Sequence, residues 1–137
     1  MKFMMIVKAN KDSEAGVMPS DAELATMAAY NEKLVKAGVM LDGTGLHPTS
    51  RGWKVQFDGA SKRTIVDGPF SEAKECIAGY WVIQTKTREE AIEWSRQIPF
   101  AEGEVEVRQL FELDEFAPGP GLDDHKRLQG ELAAQKH

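Results

Sequence analysis

Residues 77–83, Ile-Ala-Gly-Tyr-Trp-Val-Ile, form an unbroken apolar run that best fits a strand in the middle of a sheet. Side chains alternate across a strand, so both faces of this one are apolar. One face carries Ile77, Trp81 and Ile83, and the other carries Ala78, Tyr80 and Val82. Residues 2–9 are apolar on both faces in the same way. Such a sheet needs a covering layer on each side, because a large apolar face is costly in water.

The elements predicted around these strands follow a recognisable order. Residues 53–57 and 62–66 flank an Asp58-Gly59 turn, and the first of these runs alternates apolar and polar side chains, which predicts a hairpin. The complete prediction comprises strands over residues 2–9, 39–47, 53–57, 62–66, 77–86 and 104–112, and helices from Ser20 to Gly38 and from Thr87 to Ile98. With the hairpin set aside, the order is βαββαβ, which is the ferredoxin-like pattern of an α+β fold.

Both predicted helices carry start signals. Ser20 with Glu23, and Thr87 with Glu90, have the spacing of a capping box. Gly38 is placed to end the first helix, because glycine accepts the left-handed conformation that commonly follows a helix. Apolar residues that recur at helical period on the first helix are expected to face the sheet. They are Leu24, Met27, Ala28, Leu34 and Val35.

Two helices cover only one face of such a sheet, so the second face needs other cover. The same face of a second copy would supply it, giving a two-fold homodimer with a closed or nearly closed α/β barrel. The alternative is a monomer covered by its own hairpin and tail. We predict the dimer, with a domain over residues 1–117. Residues 118–137 form a linker, Pro118-Gly119-Pro120-Gly121, followed by a helix-prone tail.

Composition narrows the classes of function. The net charge is −5 and the basic residues are scattered, which disfavours direct nucleic-acid binding. No run reaches the roughly 18 apolar residues of a membrane span. The single cysteine, Cys76, fits a reducing compartment, so we expect a cytoplasmic protein. Nucleotide, flavin and serine-hydrolase motifs and short His or Cys ligand spacings are absent, so neither a cofactor nor a metal is predicted.

The segment over residues 64–75 carries the strongest sign of a site. Asp67-Gly68-Pro69 predicts a tight turn at the end of a strand, and Ser71 is placed to cap a helical turn that starts at Glu72. The Asp67 carboxylate is either a general base or ligand-orienting group, or a turn builder that accepts backbone N–H bonds. The charged residues that follow, which either hold a polar ligand or form a solvated face, are Glu72, Lys74 and Glu75.

The chain resembles the YCII-related proteins, in particular the DGPF-domain branch. The resemblance is carried by Val-Asp-Gly-Pro-Phe-Ser-Glu-Ala-Lys-Glu at residues 66–75 and by Ile-Ala-Gly-Tyr-Trp-Val-Ile at residues 77–83, and it extends over residues 1–115. It implies the dimeric α/β-barrel superfamily, whose members include small-molecule isomerases and monooxygenases with the ligand in the barrel or cleft. DGPF-type members are often encoded beside extracytoplasmic-function sigma factors, which implies an accessory or regulatory role instead.

One departure from that family lies on the first helix. Smaller relatives carry a histidine there, proposed to pair with an aspartate as an acid/base dyad, whereas this chain has no histidine before His47. The first helix offers Tyr30 and Asn31 instead. The dyad cannot be carried over at that position, so whether the protein is an enzyme stays open.

Four further residues are candidates for a site. His47, at a strand end, either supplies a proton-transfer group or is a surface residue. Asn31, on the inward helix face, either bonds the sheet or reaches a ligand. Tyr80 and Arg108 project from central strands and would line an inter-subunit cleft if they point away from the helices. There Arg108 either binds an anionic ligand or forms a cross-strand ion pair with a nearby glutamate.

Two functions follow from these candidates. The first is a dimer that binds a small molecule, with cofactor-free acid/base chemistry by Asp67, helped by His47 or Tyr80, and with Arg108 as the anion clamp. The second is a non-catalytic accessory protein that meets a partner such as a sigma factor through its tail or an exposed sheet edge.

Overall fold

The computed structural model describes residues 1–135, apart from the side chain of Lys74. Its strands are β1 (Lys2–Lys8), β2 (Met40–Gly45), β3 (Trp53–Asp58), β4 (Lys62–Asp67), β5 (Ile77–Gln84) and β6 (Val105–Gln109). Its helices are α1 (Lys11–Glu14), α2 (Asp21–Lys36), α3 (Arg88–Arg96) and α4 (Pro120–Ala134). Short 3-10 turns occupy Thr49–Arg51, Ala73–Glu75 and Leu113–Glu115. This mixture confirms the predicted α+β class.

The strands form two antiparallel sheets. The larger sheet has the order β2-β5-β1-β6, and β3 and β4 form a separate two-stranded sheet. When the β3–β4 hairpin is set aside, the two strands that follow the helices are β2 and β6, at the edges, and the two central strands are β1 and β5. This arrangement is consistent with a ferredoxin-like fold that carries an inserted hairpin, as the sequence predicts.

The core lies between one face of the larger sheet and helices α2 and α3. Antiparallel pairing sets Phe3 opposite Ile83 and Met5 opposite Trp81 on that face. The buried side chains that form the core cluster are Phe3, Met5, Tyr30, Leu34, Val39, Trp81, Ile83 and Ala91. The sheet and the two helices are therefore held by one continuous apolar layer.

Helix α2 begins and ends where its sequence predicts. The Ser20 hydroxyl accepts from the Glu23 N–H at 3.1 Å, and the Glu23 carboxylate accepts from the Ser20 N–H at 3.4 Å. Gly38 follows the helix with a φ of 70°. At α3 the Thr87 hydroxyl accepts from the Glu90 N–H at 3.1 Å, but the Glu90 carboxylate accepts from the Lys86 N–H instead of completing the box.

The inward face of α2 differs from the prediction at three positions. Leu24 and Val35 are 55% and 63% exposed, and Ala28 is exposed as well. The residues that do face the sheet, at spacings of three and four, are Met27, Tyr30, Asn31 and Leu34. A step of one residue turns the chain by about 100° around a helix axis. Val35 therefore points well away from the contact that its neighbour Leu34 makes.

The face of the larger sheet that points away from α2 and α3 is called the open face below. Its central residues are Met4, Ile6, Ala78, Tyr80 and Val82, all partly buried. Ile77, predicted to share the buried face of β5 with Trp81, lies at the strand start and is 39% exposed.

The C-terminal segment starts its helix earlier than predicted. Pro120 and Gly121, assigned to a linker from the sequence, form the first turn of α4, since proline suits the first position of a helix. Helix α4 buries none of its residues and packs beside the 3-10 turn at Leu113–Glu115. Among the helices described, none combines the length and apolar character needed to cross a membrane.

Candidate functional site

A cleft lies between α2 and the strands β2 and β5. Its volume is about 250 Å³. The residues that shape it are Met27 and Asn31 from α2, Gly43 from β2, Gly79 and Trp81 from β5, and Phe100 from the loop after α3. The cleft is thus mostly apolar, with one side-chain amide in its wall.

Two glycines keep the floor of this cleft open. A Cβ atom on Gly79 would lie 2.8 Å from the carbonyl oxygen of Thr44, so β2 and β5 approach too closely there for any side chain. A Cβ atom on Gly43 would lie 2.6 Å from Met40 Cε and 3.0 Å from Trp81 Cδ1. Any larger residue at either position would displace β2 or Trp81.

The side chains of Asn31 and Trp81 are joined across the cleft wall. The indole Nε1–H of Trp81 donates to Asn31 Oδ1 at 2.8 Å. Tyr30 packs edge-on against Trp81, with ring centroids 5.5 Å apart and an interplanar angle of 81°. The Tyr30 hydroxyl in turn donates to the carbonyl oxygen of Trp94 at 2.8 Å. Trp81 is therefore fixed from two sides.

The bond to Trp81 also fixes the orientation of the Asn31 amide. An indole N–H only donates, so the atom that faces it must be the amide oxygen, and the Nδ2 group points elsewhere. In residues 1–135, Nδ2 makes no hydrogen bond, whereas no buried side-chain nitrogen or oxygen there lacks a partner. Nδ2 is therefore accessible, and because Asn31 lines the cleft it can donate to a molecule bound there.

A second, larger cavity adjoins the first. It has a volume of about 700 Å³ and shares Val7, Ala78 and Phe100 with the cleft. Its carboxylates are Glu23, Glu75, Glu102 and Glu104. Lys8 also lines it, but its ammonium group is 3.1 Å from the Glu106 carboxylate. Like charges repel, so an anionic group would be disfavoured at this end.

Tyr30 and Cys76 are held in their neutral forms by burial. Desolvation raises the pKa of Tyr30 to about 12. Desolvation, reinforced by the nearby Glu14 carboxylate, also raises the pKa of the Cys76 thiol. That thiol donates to the carbonyl oxygen of Glu72 at 3.4 Å. The thiolate is the reactive form, so Cys76 is poorly suited to act as a nucleophile.

Asp67 lies at the end of β4 with its side chain exposed. Among the hydrogen bonds of the described residues, none involves its carboxylate, and Asp67 does not line either cavity. The turn that it begins is held by other groups. Thr49 Oγ1 accepts from the Phe70 N–H at 3.0 Å and donates to a Glu14 carboxylate oxygen at 2.5 Å, and the Gly68 N–H donates to Gly52 O at 2.9 Å.

These five residues, Glu14, Thr49, Gly52, Gly68 and Phe70, are called the joint. The joint ties α1, the 3-10 turn at Thr49–Arg51 and the end of the hairpin together. A Cβ atom on Gly68 would lie only 1.8 Å from the carbonyl oxygen of Thr49, so the turn requires glycine there. The sequence marks Gly68 but not Thr49 or Glu14, because the latter two meet across 35 residues of chain.

The helical turn after Asp67 also differs from its prediction. It covers Ala73–Glu75, with Glu72 in the N-cap position and no side-chain cap, so Ser71 is not the cap. Glu72 keeps an extended backbone, with φ −107° and ψ 93°, so the helical turn begins after it and Ser71 lies one residue too early to cap it. Glu72 is exposed, whereas Glu75 lines the larger cavity. The side chain of Lys74 lies outside the described part of the structure.

The other candidates are held by separate partners. On the surface, Arg51 Nη1 lies 3.2 Å from Nδ1 of the His47 ring. The Tyr80 hydroxyl donates to Asp42 Oδ2 at 3.2 Å, and this bond raises the pKa of Tyr80. In the described residues no hydrogen bond joins Asp67, His47 and Tyr80 to one another. Neither His47 nor Tyr80 is therefore hydrogen-bonded to Asp67 within one protomer.

Arg108 pairs with a glutamate on its own strand instead of the cross-strand glutamate that was predicted. Its Nη1 lies 3.2 Å from Glu106 Oε2, two residues earlier on the same strand, so the pair runs along β6 rather than across strands. Lys8 contacts the other oxygen of Glu106 at 3.1 Å. The hydrogen bonds from Lys8 and then Arg108 lower the pKa of Glu106. Arg108 is thus already paired on the open face.

No three His, Cys, Asp or Glu side chains of residues 1–135 come together in an arrangement that could hold a metal ion.

The fold defines a class of small α+β protein, in which two helices pack on one face of a four-stranded antiparallel sheet and a cleft lies between α2 and strands β2 and β5. The YCII-related domain matches residues 1–114, and the chain belongs to this family. A relative from Rhizobium meliloti (strain 1021), an uncharacterized protein, is 31% identical over 87 residues. That match covers 61% of this chain and 69% of the relative.

Proposed function

We propose that the protein binds a small molecule in the cleft between α2 and strands β2 and β5. The observation that carries this proposal is the Asn31 amide, whose oxygen is held by Trp81 and whose Nδ2 group is left to donate into the cleft. The matching ligand has a hydrogen-bond acceptor that faces Asn31 and an apolar part that contacts Trp81. The cleft, at about 250 Å³, is slightly smaller than the roughly 300–1,000 Å³ typical of drug-sized ligands.

Side-chain NMR tests this binding directly. Small carboxylates, amides and matched hydrocarbons are added to the ¹⁵N-labelled protein, and the Trp81 indole and Asn31 amide resonances are followed. We expect compounds with an acceptor to shift both resonances. We also expect Asn31→Leu to weaken their binding about tenfold, the value of one good hydrogen bond. Glu32→Gln, on the solvent face of α2, is the control and should leave affinity unchanged. Equal affinity of the Asn31→Leu protein would remove the proposed site.

We also propose a homodimer formed through the open face. Its support is the row of apolar residues on β1 and β5, among them Ile6 and Val82, on the face of the sheet opposite to α2 and α3. A second copy offers the same surface, and a two-fold axis makes the two surfaces self-complementary.

A cytoplasmic location is a further proposal, because the single cysteine is a buried thiol that fits a reducing compartment.

Acid/base chemistry by Asp67, helped by His47 or Tyr80, is a separate proposal. Its support is that Asp67 stands exposed beside a turn that the joint holds firmly, so the carboxylate is positioned without being consumed by structure. Asp67→Asn should leave the free energy of unfolding within about 0.5 kcal/mol of the native protein, while any turnover is lost. A large loss of stability would instead show that Asp67 builds the turn.

An accessory role through the C-terminal helix is the second candidate function. Leu128 and Leu132, one turn apart on α4, are 48% and 63% exposed, and such a pair suits a partner protein such as a sigma factor. If this is the role, deleting residues 118–137 should abolish capture of the sigma factor and leave the oligomeric state unchanged. Retained capture by the shortened protein would exclude a tail-mediated contact.

A further inference from the structure

One face of the β3–β4 hairpin is mostly apolar. Cross-strand pairing sets Val55 opposite Ile65, and Trp53 and Phe57 follow on the same face at two-residue steps. Their cross-strand neighbours on this face are Asp67 and Arg63, whereas the opposite face carries Lys54, Gln56, Thr64 and Val66 among its residues. The four residues Trp53, Val55, Phe57 and Ile65 are called the arm face below.

The arm face is exposed to an unusual degree. Trp53 is 63% exposed, Phe57 69% and Ile65 58%. Two-stranded hairpins are only marginally stable in water without packing on one face. The alternation of side chains gives the hairpin an apolar face that is exposed in the protomer. Such a face indicates contact with another molecule.

The base of the hairpin is fixed to the body, so the arm has a defined direction. The joint bonds Gly68 to Gly52 at 2.9 Å, directly below the first and last residues of the hairpin. The Lys54 ammonium group lies over the ring of Phe70, 4.2 Å from its centroid. These contacts sit at the base, and on the arm face the Arg63 guanidinium lies over the ring of Phe57, 4.6 Å from its centroid, while Phe57 stays largely exposed.

The apolar area available for burial indicates whether a dimer interface consists of the open face alone or also includes the hairpin. A stable interface buries about 800 Å² on each partner. The central apolar residues of the open face are already partly buried in the protomer, so each has little area left to lose. Trp53 and Phe57, about two thirds exposed, would alone add on the order of 200–300 Å². Val55 and Ile65 extend this area.

We propose that the hairpin is an arm whose arm face packs against a second copy of this chain, reciprocally about the two-fold axis. The inference rests on the proposed dimer and deepens it by naming the element that completes the interface. Residues 53–67 carry three bases and two acids, so the hairpin is close to neutral in a chain of net charge −5, and a second copy can approach it with little charge repulsion.

Matched substitutions that each introduce one negative charge test whether the arm face contacts a second copy. Phe57→Glu puts a carboxylate on the arm face, Gln56→Glu puts the same charge one residue away on the opposite face, and Ile6→Glu puts it on the open face. Sedimentation equilibrium over a range of protein concentrations gives the dimer dissociation constant. We expect Phe57→Glu to raise that constant at least tenfold and Gln56→Glu to leave it within about twofold, since only the first desolvates a charge at the contact.

The outcomes separate the arm from the dimer itself. If Ile6→Glu weakens the dimer and Phe57→Glu does not, the open-face dimer stands and the arm is excluded from it. If the native protein sediments as a monomer throughout, the dimer and the arm both fail. Far-ultraviolet circular dichroism confirms that each variant is folded, and Phe57 is exposed enough that its replacement should leave the protomer intact. Binding in the Asn31 cleft is measured independently, so its failure would not resemble either result.

Discussion

At the residue scale, the turn after β4 depends on what a glycine lacks. The carbonyl group of Thr49 passes so close to Gly68 that no Cβ atom fits between them, and Thr49 also bonds Glu14 and Phe70. The Asp-Gly-Pro-Phe signature therefore supplies two members of a joint that also fixes the base of the hairpin. Its most constrained residue is Gly68 rather than the carboxylate beside it.

Gly68→Ala should destabilise the protein by about 1–3 kcal/mol or more, since the methyl group would have to displace backbone. Chemical denaturation measures the change. The control is Gly52→Ala in the same joint, where an added Cβ atom would meet Thr49 O at an ordinary 3.7 Å. Equal losses for the two variants would mean that the close approach at Gly68 does not limit stability.

Tyr30 gives a prediction in alkaline solution. Burial raises its folded pKa to about 12, above the value near 10 expected for an unfolded chain. The neutral phenol therefore stabilises the fold fully below about pH 10, and this stabilisation is lost as pH rises toward 12. Tyrosinate absorbance should report Tyr30 ionising together with unfolding. Tyr30→Phe should show a shallower loss of stability over the same range, and identical slopes would contradict the assignment.

At the element scale, α2 and α4 illustrate opposite relations to the core. Helix α2 inserts Tyr30 and Leu34 between the sheet and α3, so its position is fixed by burial. Helix α4 has capable helix formers and a proline at its start, yet none of its residues is buried. Helix α2 therefore belongs to the cooperatively folding domain. Helix α4 either needs a contact from outside the protomer or adds little to the free energy of unfolding.

Deleting residues 118–137 should therefore leave a folded domain over residues 1–117. We expect the melting temperature to change by no more than about 4 °C, since a loss of under 1 kcal/mol shifts a domain of this size by that amount. Differential scanning calorimetry measures it. A much larger drop would show that α4 is part of the cooperative unit and that the domain boundary is misplaced.

At the scale of the whole molecule, the partly buried open face and the exposed arm face both call for a second copy. Native mass spectrometry of the protein purified from its own host should give a dimer. A reproducible extra mass on that dimer would identify a ligand, and loss of that mass in Asn31→Leu would locate it in the cleft. A monomer would overturn the account of both apolar faces.

The sequence was informative wherever the cause of a structure is local. Alternation identified the strands and the hairpin, and Ser20 with Glu23 identified the start of α2, because each signal acts within a few residues. The same logic predicts Ser71 as a cap, which is wrong, because the helical turn begins one residue later and Glu72 occupies the N-cap position. The predicted inward face of α2 likewise includes Leu24 and Val35, which are apolar but exposed in the structure.

By itself, the sequence determined the class of fold, the order of the elements and the membership of the YCII-related family, since these follow from local pattern. Only the tertiary structure decided that Asn31 meets Trp81, that Glu14 and Thr49 hold the turn after Asp67, and that Lys8 meets Glu106 across strands. The first two of these contacts join residues 50 and 35 positions apart. No local pattern encodes such a pair, because the geometry exists only once the sheet has brought the segments together.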